Sequence, residues 1–130
     1  MLLLSEQVKD MLVNYNLNKV KIKRCKEQLA SIDFMFNDAN SINRPADIIE
    51  LHKKVVDDLA NLESKYQRLN YAINSLSNIK LIEVIHYRYI DNLSWLEVAH
   101  KLDRSLRSTY SYHGQALKEL RELMNDAKKD

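Results

Sequence analysis

Three polar side chains near the end of the sequence have the types and spacing to bind a polyanion. Arg107, Ser111 and Lys118 are four and seven residues apart, so a helix turning about 100° per residue would place them on one face. Arginine can donate two hydrogen bonds to guanine, serine can bond a base edge or a phosphate, and lysine pairs with phosphate. The pattern predicts that this face enters the major groove of double-stranded DNA.

Gly114, the only glycine of the chain, lies within the same stripe, where glycine costs about 1 kcal/mol relative to alanine. Two interpretations stay open: a close approach to the sugar-phosphate backbone, or an ordinary surface substitution or tight helix contact. Neighbouring positions are further candidates for DNA contact, namely Arg104, Ser108, Tyr110 and Gln115. The other side of the helix is predicted to be core and carries Thr109, Tyr112, His113, Ala116 and Leu120.

No other set of residues predicts catalysis or a cofactor. The four histidines fall on separate predicted helices without the spacing of metal ligands; they are His52, His86, His100 and His113. The single cysteine, Cys25, excludes an internal disulfide and a thiolate-rich metal cluster. There is no glycine-rich phosphate loop, nucleophile elbow or zinc-protease motif. We expect no enzyme, no cofactor and no metal.

Two consecutive helix starts would position the recognition face. Ser94 and Glu97 have the spacing of a capping box, in which each side chain bonds the other residue's backbone amide. Ser105 offers a second N-cap a few residues later. A short capped helix, a tight turn and a longer capped helix form the helix-turn-helix pattern. Trp95, just inside the first of these helices, is predicted to be a core anchor between helices, and the alternative is a phosphate contact through its indole N–H.

The first half of the chain has the heptad spacing of long helices. Between Leu4 and about Phe34, apolar side chains recur every seven positions. After a polar connection over residues 35–44, a second stripe runs from Ile48 to Leu76. This pattern predicts a coiled-coil-like helical hairpin over residues 1–76. Because one hairpin has little core of its own, we expect it to pack on the C-terminal domain or a second copy, with a dimer favoured.

Composition agrees with an all-α chain. Among 130 residues there is one glycine and one proline, so the turn residues of β-rich folds are lacking. No apolar run approaches the roughly 20 residues that span a membrane, and we expect a cytoplasmic protein without membrane contact. The net charge of +2 gives little support to nucleic-acid binding. Residues 99–121 nevertheless carry five basic against two acidic side chains.

The densest basic cluster lies in the first predicted helix, over residues 19–26. It has two interpretations: a second surface facing DNA, or a solvated helix face beside an apolar stripe, which is the commoner case.

Residues 85–99, 105–110 and 115–120 together resemble the fourth conserved region of bacterial sigma factors. The likeness rests on Arg88-Tyr89 closing one helix, on Ser94-Trp95-Leu96-Glu97-Val98-Ala99, and on a last helix that opens at Ser105 and closes with Ala116-Leu117-Lys118-Glu119-Leu120. With a helical hairpin in front, the chain is similar to small phage regulators of the ArpU/RinA late-transcription activator type. The resemblance implies a trihelical, sigma region-four-like helix-turn-helix DNA-binding domain over residues 77–130.

The recognition helix departs from the sigma pattern. Sigma factors usually expose Arg, Glu and Gln there, whereas this chain has Leu106, Arg107, Ser108, Tyr110 and Ser111, so a housekeeping promoter is not implied. The leading hypothesis is a phage or prophage transcriptional regulator that binds specific DNA, with RNA polymerase or another host protein as a further partner. The alternatives are a protein-interaction module with a degenerate sigma-like domain, and a DNA-recognition subunit of a phage packaging complex.

Overall fold

The protein is all-α. A computed structural model describes residues 3–36 and 45–129, with side chains through Asp126. Within these residues the elements are six α-helices and one π-helical turn, and no strand occurs. In chain order they are α1 (Ser5–Val13), α2 (Tyr15–Phe36), α3 (Ala46–Asn74), α4 (Ile79–Ile85), the π turn (His86–Ile90), α5 (Trp95–Leu102) and α6 (Leu106–Lys129). No helix in this part of the chain is long and apolar enough to cross a membrane.

The chain divides into two compact units. The first contains residues 1–16 and 67–130, and the second contains residues 17–66. This division differs from the boundary at residue 76 that the sequence patterns predict. The reason is packing: α1 packs on α6, and residues 67–76 include Leu69, Ile73 and Leu76, which are all buried. Both ends of the N-terminal segment therefore belong to the same unit as the C-terminal helices.

The long helix expected from Leu4 to Phe34 is interrupted at Asn14. The amide of Asn14 still donates to the carbonyl of Asp10, at 3.0 Å, and closes α1. The heptad pattern passes through this break because Val8, Leu12 and Tyr15 are all buried. A periodic apolar stripe thus predicted the buried positions but not the change of element between them.

The central core of the first unit is built by α1, α4, α5 and α6. α6 packs against each of the other three helices. Among the described residues, its buried side chains are Thr109, Ala116, Leu120 and Met124. The helices packed on it contribute fully buried Leu81 and Val84 from α4 and Val98 from α5. α4 is apolar on most sides, as expected for a central helix.

The second unit consists of the longer parts of α2 and α3. Ile32 and Val55 are its buried side chains, at 6% and 5% exposure. Ion pairs between the described parts of the two helices include Lys26 with Glu63, at 3.6 Å, and His52 with Asp33, at 3.5 Å. The connection predicted over residues 35–44 lies mostly outside the described residues.

Candidate nucleic-acid interface

The start of α5 has the predicted capping box. The amide of Glu97 donates to Oγ of Ser94 at 3.2 Å, and the amide of Ser94 donates to Oε1 of Glu97, also at 3.2 Å. These bonds stabilise the ionised carboxylate and lower the pKa of Glu97. α5 ends at Asp103, which has a left-handed backbone at φ 55° and ψ 48°. The turn to α6 is therefore only three residues long, from Asp103 to Ser105.

Ser105 caps α6, as the sequence predicts. Its Oγ accepts a hydrogen bond from the amide of Ser108 at 3.1 Å, and its carbonyl accepts from the amide of Thr109 at 2.9 Å. The hydroxyl of Thr109 also donates to this carbonyl, at 2.8 Å, and satisfies a polar group that is fully buried. These bonds fix the first turn of α6 through the exposed Ser105 and through the buried Thr109.

α6 has one covered face and one open face. Thr109, Ala116 and Leu120 are at 0% exposure. Opposite them, Arg107, Ser111, Gly114 and Lys118 are all exposed. The expected core positions Tyr112 and His113 are half-buried. The division of α6 into two faces therefore follows the 3.6-residue period that its sequence predicts.

The other predicted contact residues surround the open face. Arg104, Tyr110 and Gln115 are exposed, whereas Ser108 is half-buried and its Oγ accepts from the hydroxyl of Ser105 at 3.1 Å. Gln115 reaches the carboxylate of Glu119 at 3.5 Å.

Gly114 has open space on its outer side. A Cβ atom added there would meet no atom within 4 Å, apart from the helix's own backbone. The interpretation that a tight contact within the chain requires this glycine is therefore wrong. A close approach by a partner and an ordinary surface substitution both remain.

An aromatic cluster lies beside the first turns of α6. The ring of Trp95 meets Tyr110 edge-on at 5.1 Å between centroids, and it meets His113 edge-on at 4.7 Å. The guanidinium of Arg88 lies 4.6 Å from the centre of the Trp95 ring. The hydroxyl of Tyr89 is 2.6 Å from Nε2 of His113. Trp95 joins the start of α5 to the first turns of α6, as predicted for an anchor between helices, but it is half-buried and lies outside the buried core.

Burial keeps the cluster's histidine neutral. The pKa of His113 falls from 6.5 to about 4, first because burial removes water and then because Lys9 and Arg88 are positively charged. Burial also raises the pKa of Tyr89, with Arg88 acting in the opposite direction. The bond between Tyr89 and His113 therefore joins two uncharged groups at neutral pH.

The π turn aims Arg88 and Tyr89 at this cluster. The amide of Asp91 donates to the carbonyl of His86 at 2.9 Å, a bond five residues long. Asn92 then has a left-handed φ of 58°. Arg88 donates to the carbonyl of Leu93 at 3.0 Å and so ties the loop before α5. π turns are rare and often occur at functional sites.

Two side chains distant in sequence hold the ends of α4 and the π turn. The amide group of Asn16 donates to the carbonyls of Tyr89 and Ile90, at 3.3 and 3.1 Å. The carboxylate of Glu119 accepts from the amide and hydroxyl of Ser77, at 3.0 and 2.8 Å, and these bonds lower the pKa of Glu119. The helix itself starts at Asn78, which accepts from the amide of Lys80 at 2.9 Å.

Sequence reasoning missed the links through Arg88, Asn16 and Glu119. The Arg88-Tyr89 pair was recognised as part of the sigma-like pattern. The sequence did not show that Arg88 contacts Trp95 or that Tyr89 contacts His113. Nothing local marks Asn16, because its partners are more than 70 residues away. For the same reason, no pattern in the printed sequence signals Glu119 as the partner of Ser77.

The remaining candidates do not form a second site in the described residues. No group of histidine, cysteine, aspartate or glutamate there could hold a metal ion. Cys25 is half-buried with a free thiol. The basic run on α2 has most of its cations exposed, and Lys26 pairs with Glu63. Comparison with known proteins gives no assignment, because no family model, curated protein or solved structure matches the chain.

Proposed function

We propose that this chain is a sequence-specific DNA-binding transcriptional regulator that inserts α6 into the major groove. The observation that carries the proposal is the open face of α6, with Arg107 in its first turn and Lys118 three turns later, opposite fully buried Thr109 and Leu120. In a helix-turn-helix, the N-terminal residues of the second helix contact base edges. The exposed stripe has that position and the donor groups that base edges and phosphates accept.

The capped turn between α5 and α6 supports the proposal. Reading bases requires a helix whose side chains are held in place before binding, because each group ordered on binding reduces affinity. The Ser105 cap and the Trp95 contacts act on the first turns of α6, and the Ser94 box fixes the start of α5, where Trp95 lies. Rigidity is thus concentrated where base contacts are expected.

Each residue has a role in the proposal. Arg107 pairs with guanine, Ser111 bonds a base edge or a phosphate, and Lys118 neutralises a phosphate. Gly114 lets the backbone of α6 approach the DNA, since nothing in the chain fills the space beside it. Arg104, Ser108, Tyr110 and Gln115 add contacts at the margins of the stripe.

The wider biological assignment rests on the family likeness described above. The Arg88-Tyr89 helix end and the Ser94–Ala99 segment are similar to sigma region four and to ArpU/RinA-type regulators. We infer a phage or prophage gene whose product acts on late transcription. The second unit would then bind RNA polymerase or a second copy of the chain.

One variant pair tests the proposal directly. Sites are selected from random duplex DNA with the full chain, and affinities for selected and unrelated duplexes are measured by fluorescence anisotropy. Arg107→Ala should weaken binding to the selected site by about 1 to 3 kcal/mol and relax specificity at one base pair. Arg24→Ala, which removes the same charge from an exposed position of α2, should change both affinities alike.

Two results would contradict the assignment. If no sequence is enriched, the chain does not read DNA. If Arg107→Ala leaves discrimination between the two duplexes unchanged, α6 is not the reading helix.

Exposed apolar side chains in the second unit favour a second candidate, a protein-interaction module. Leu17 and Val20 of α2 are 50% and 54% exposed, and Ile49 of α3 is 54% exposed. Together with the net charge of +2, these surfaces suit a protein partner more than a polyanion. Absence of DNA selection, with stable binding to RNA polymerase in sedimentation, is the result that this candidate predicts.

A further inference from the structure

Two apolar side chains lie uncovered beside Arg107. Leu106, the first residue of α6, is 37% exposed, and Tyr110 is 50% exposed. They are four residues apart, so they are neighbours along one edge of the helix. By contrast, Ala116 and Leu120 on the core face of α6 are at 0% exposure. The first turns of α6 therefore present apolar surface next to their one guanidinium group.

The fold holds the ring of Tyr110 and the backbone at Leu106. The ring of Tyr110 packs edge-on against Trp95, at 5.1 Å between centroids. Leu106 directly follows the Ser105 cap, whose Oγ accepts from the amide of Ser108 at 3.1 Å. Apolar groups with fixed positions can discriminate between partner shapes, because no ordering is required when the partner arrives.

The major groove offers one apolar group on its base edges, the 5-methyl group of thymine. Arginine at the N-terminal end of a recognition helix pairs with guanine. We propose that Leu106 and the ring of Tyr110 contact the 5-methyl groups of thymines next to the guanine bound by Arg107. The inference rests on the proposed function and specifies its substrate: a DNA site in which thymines flank that guanine.

Replacing thymine by deoxyuridine tests the contact, because it removes the methyl group and keeps the base pair. Each thymine of the selected duplex is replaced singly, on either strand, and anisotropy titrations are carried out at one salt concentration. For the wild-type chain, replacement at one or two thymines beside the Arg107-dependent guanine should weaken binding about four-fold, as expected for one buried methyl group.

Variants of this chain assign each methyl group to a side chain. Leu106→Ala should bind the thymine and deoxyuridine duplexes equally at one of these positions. Tyr110→Ala should do so at the other, whereas Tyr110→Phe, which keeps the ring, should retain the discrimination. Lys118→Ala is the matched control, since loss of a phosphate contact lowers affinity for both duplexes by the same factor. Circular dichroism shows whether each variant keeps the wild-type helix content.

The outcomes separate this inference from the function on which it depends. A selected site that loses affinity in Arg107→Ala but tolerates every deoxyuridine overturns the thymine contact alone. Equal methyl discrimination in the wild-type, Leu106→Ala and Tyr110→Ala chains also overturns it. If the chain enriches no sequence, the proposed function fails and the thymine contact fails with it.

Discussion

The open face of α6 and the basic run of α2 differ in charge and in how firmly they are held. Residues 19–26 carry five cations, whereas the α6 stripe has only Arg107 and Lys118. Yet α6 begins with a side-chain cap and a packed aromatic cluster, and Thr109, Ala116 and Leu120 on its inner face are fully buried. The α2 run has exposed lysines and one ion pair, from Lys26 to Glu63. If α6 reads bases as proposed, the difference between the two regions means that a fixed helix start counts for more than the number of cations.

The largest effect should come from removing the support of α6. Trp95→Ala deletes the ring that contacts Arg88, Tyr110 and His113, and it should lower the free energy of unfolding by about 3 kcal/mol. Ile22→Ala, at a half-buried position of α2, should cost only about 1 kcal/mol. Urea titrations followed by circular dichroism measure both values. Equal losses would remove the contrast in packing between the two regions.

Replacing cationic side chains in each region tests which of the two contacts DNA. Arg107→Gln with Lys118→Gln should flatten the plot of log affinity against log salt by about 0.9, because Lys118 is the phosphate contact of this pair and Arg107 pairs with a base. Lys19→Gln, Lys23→Gln and Lys26→Gln together should leave the slope unchanged, because a solvated face releases no counterions on binding.

Substitution is the appropriate test for the basic run. Truncation at residue 76 would also remove residues 1–16 and 67–76, which belong to the first unit. A slope change as large in the α2 triple variant as in the α6 pair would identify α2 as a DNA surface.

Acid should destabilise the folded chain through His113, which lies in the aromatic cluster beside α6. The pKa of His113 is lowered from 6.5 to about 4, so the unfolded chain binds more protons than the folded chain between these values. Stability contributed by this group is complete above pH 6.5 and is lost as pH falls towards 4, by at most about 1.4 kcal/mol per pH unit. Thermal unfolding across this range measures the decline.

His113→Asn should remove that part of the decline, and the same substitution at exposed His100 serves as the control. The lowered pKa values of Glu97 and Glu119 act below 4.5, so their contribution falls in a separate window. An unchanged pH profile in His113→Asn would show that the aromatic cluster tolerates a charged imidazole.

The smallest effect concerns Gly114. Gly114→Ala should raise stability by about 1 kcal/mol, because alanine favours the helix and its Cβ meets no atom within 4 Å. If α6 approaches the DNA backbone at this point, the same variant should bind the selected site several-fold more weakly. Higher stability with unchanged affinity would make this glycine an ordinary surface substitution.

Local signals predicted much of the fold. The caps at Ser94 and Ser105 are present, since each depends on neighbours within three residues. The period of α6 also predicted the open face and the burial of Thr109, Ala116 and Leu120, whereas Tyr112 and His113 of the predicted core are only half-buried. Patterns failed where elements end without a marked breaker, as at Asn14, because an apolar stripe can continue across a change of helix.

The sequence by itself therefore determined the all-α class, the capped starts of α5 and α6, and the open stripe containing Arg107 and Lys118. All of these arise from interactions within a few residues or from helical periodicity. Only the tertiary structure decided that Arg88 and His113 meet Trp95, and that Asn16 holds the π turn. Such contacts depend on how distant segments pack. The type of a side chain and its position along the chain do not show which distant residue it contacts.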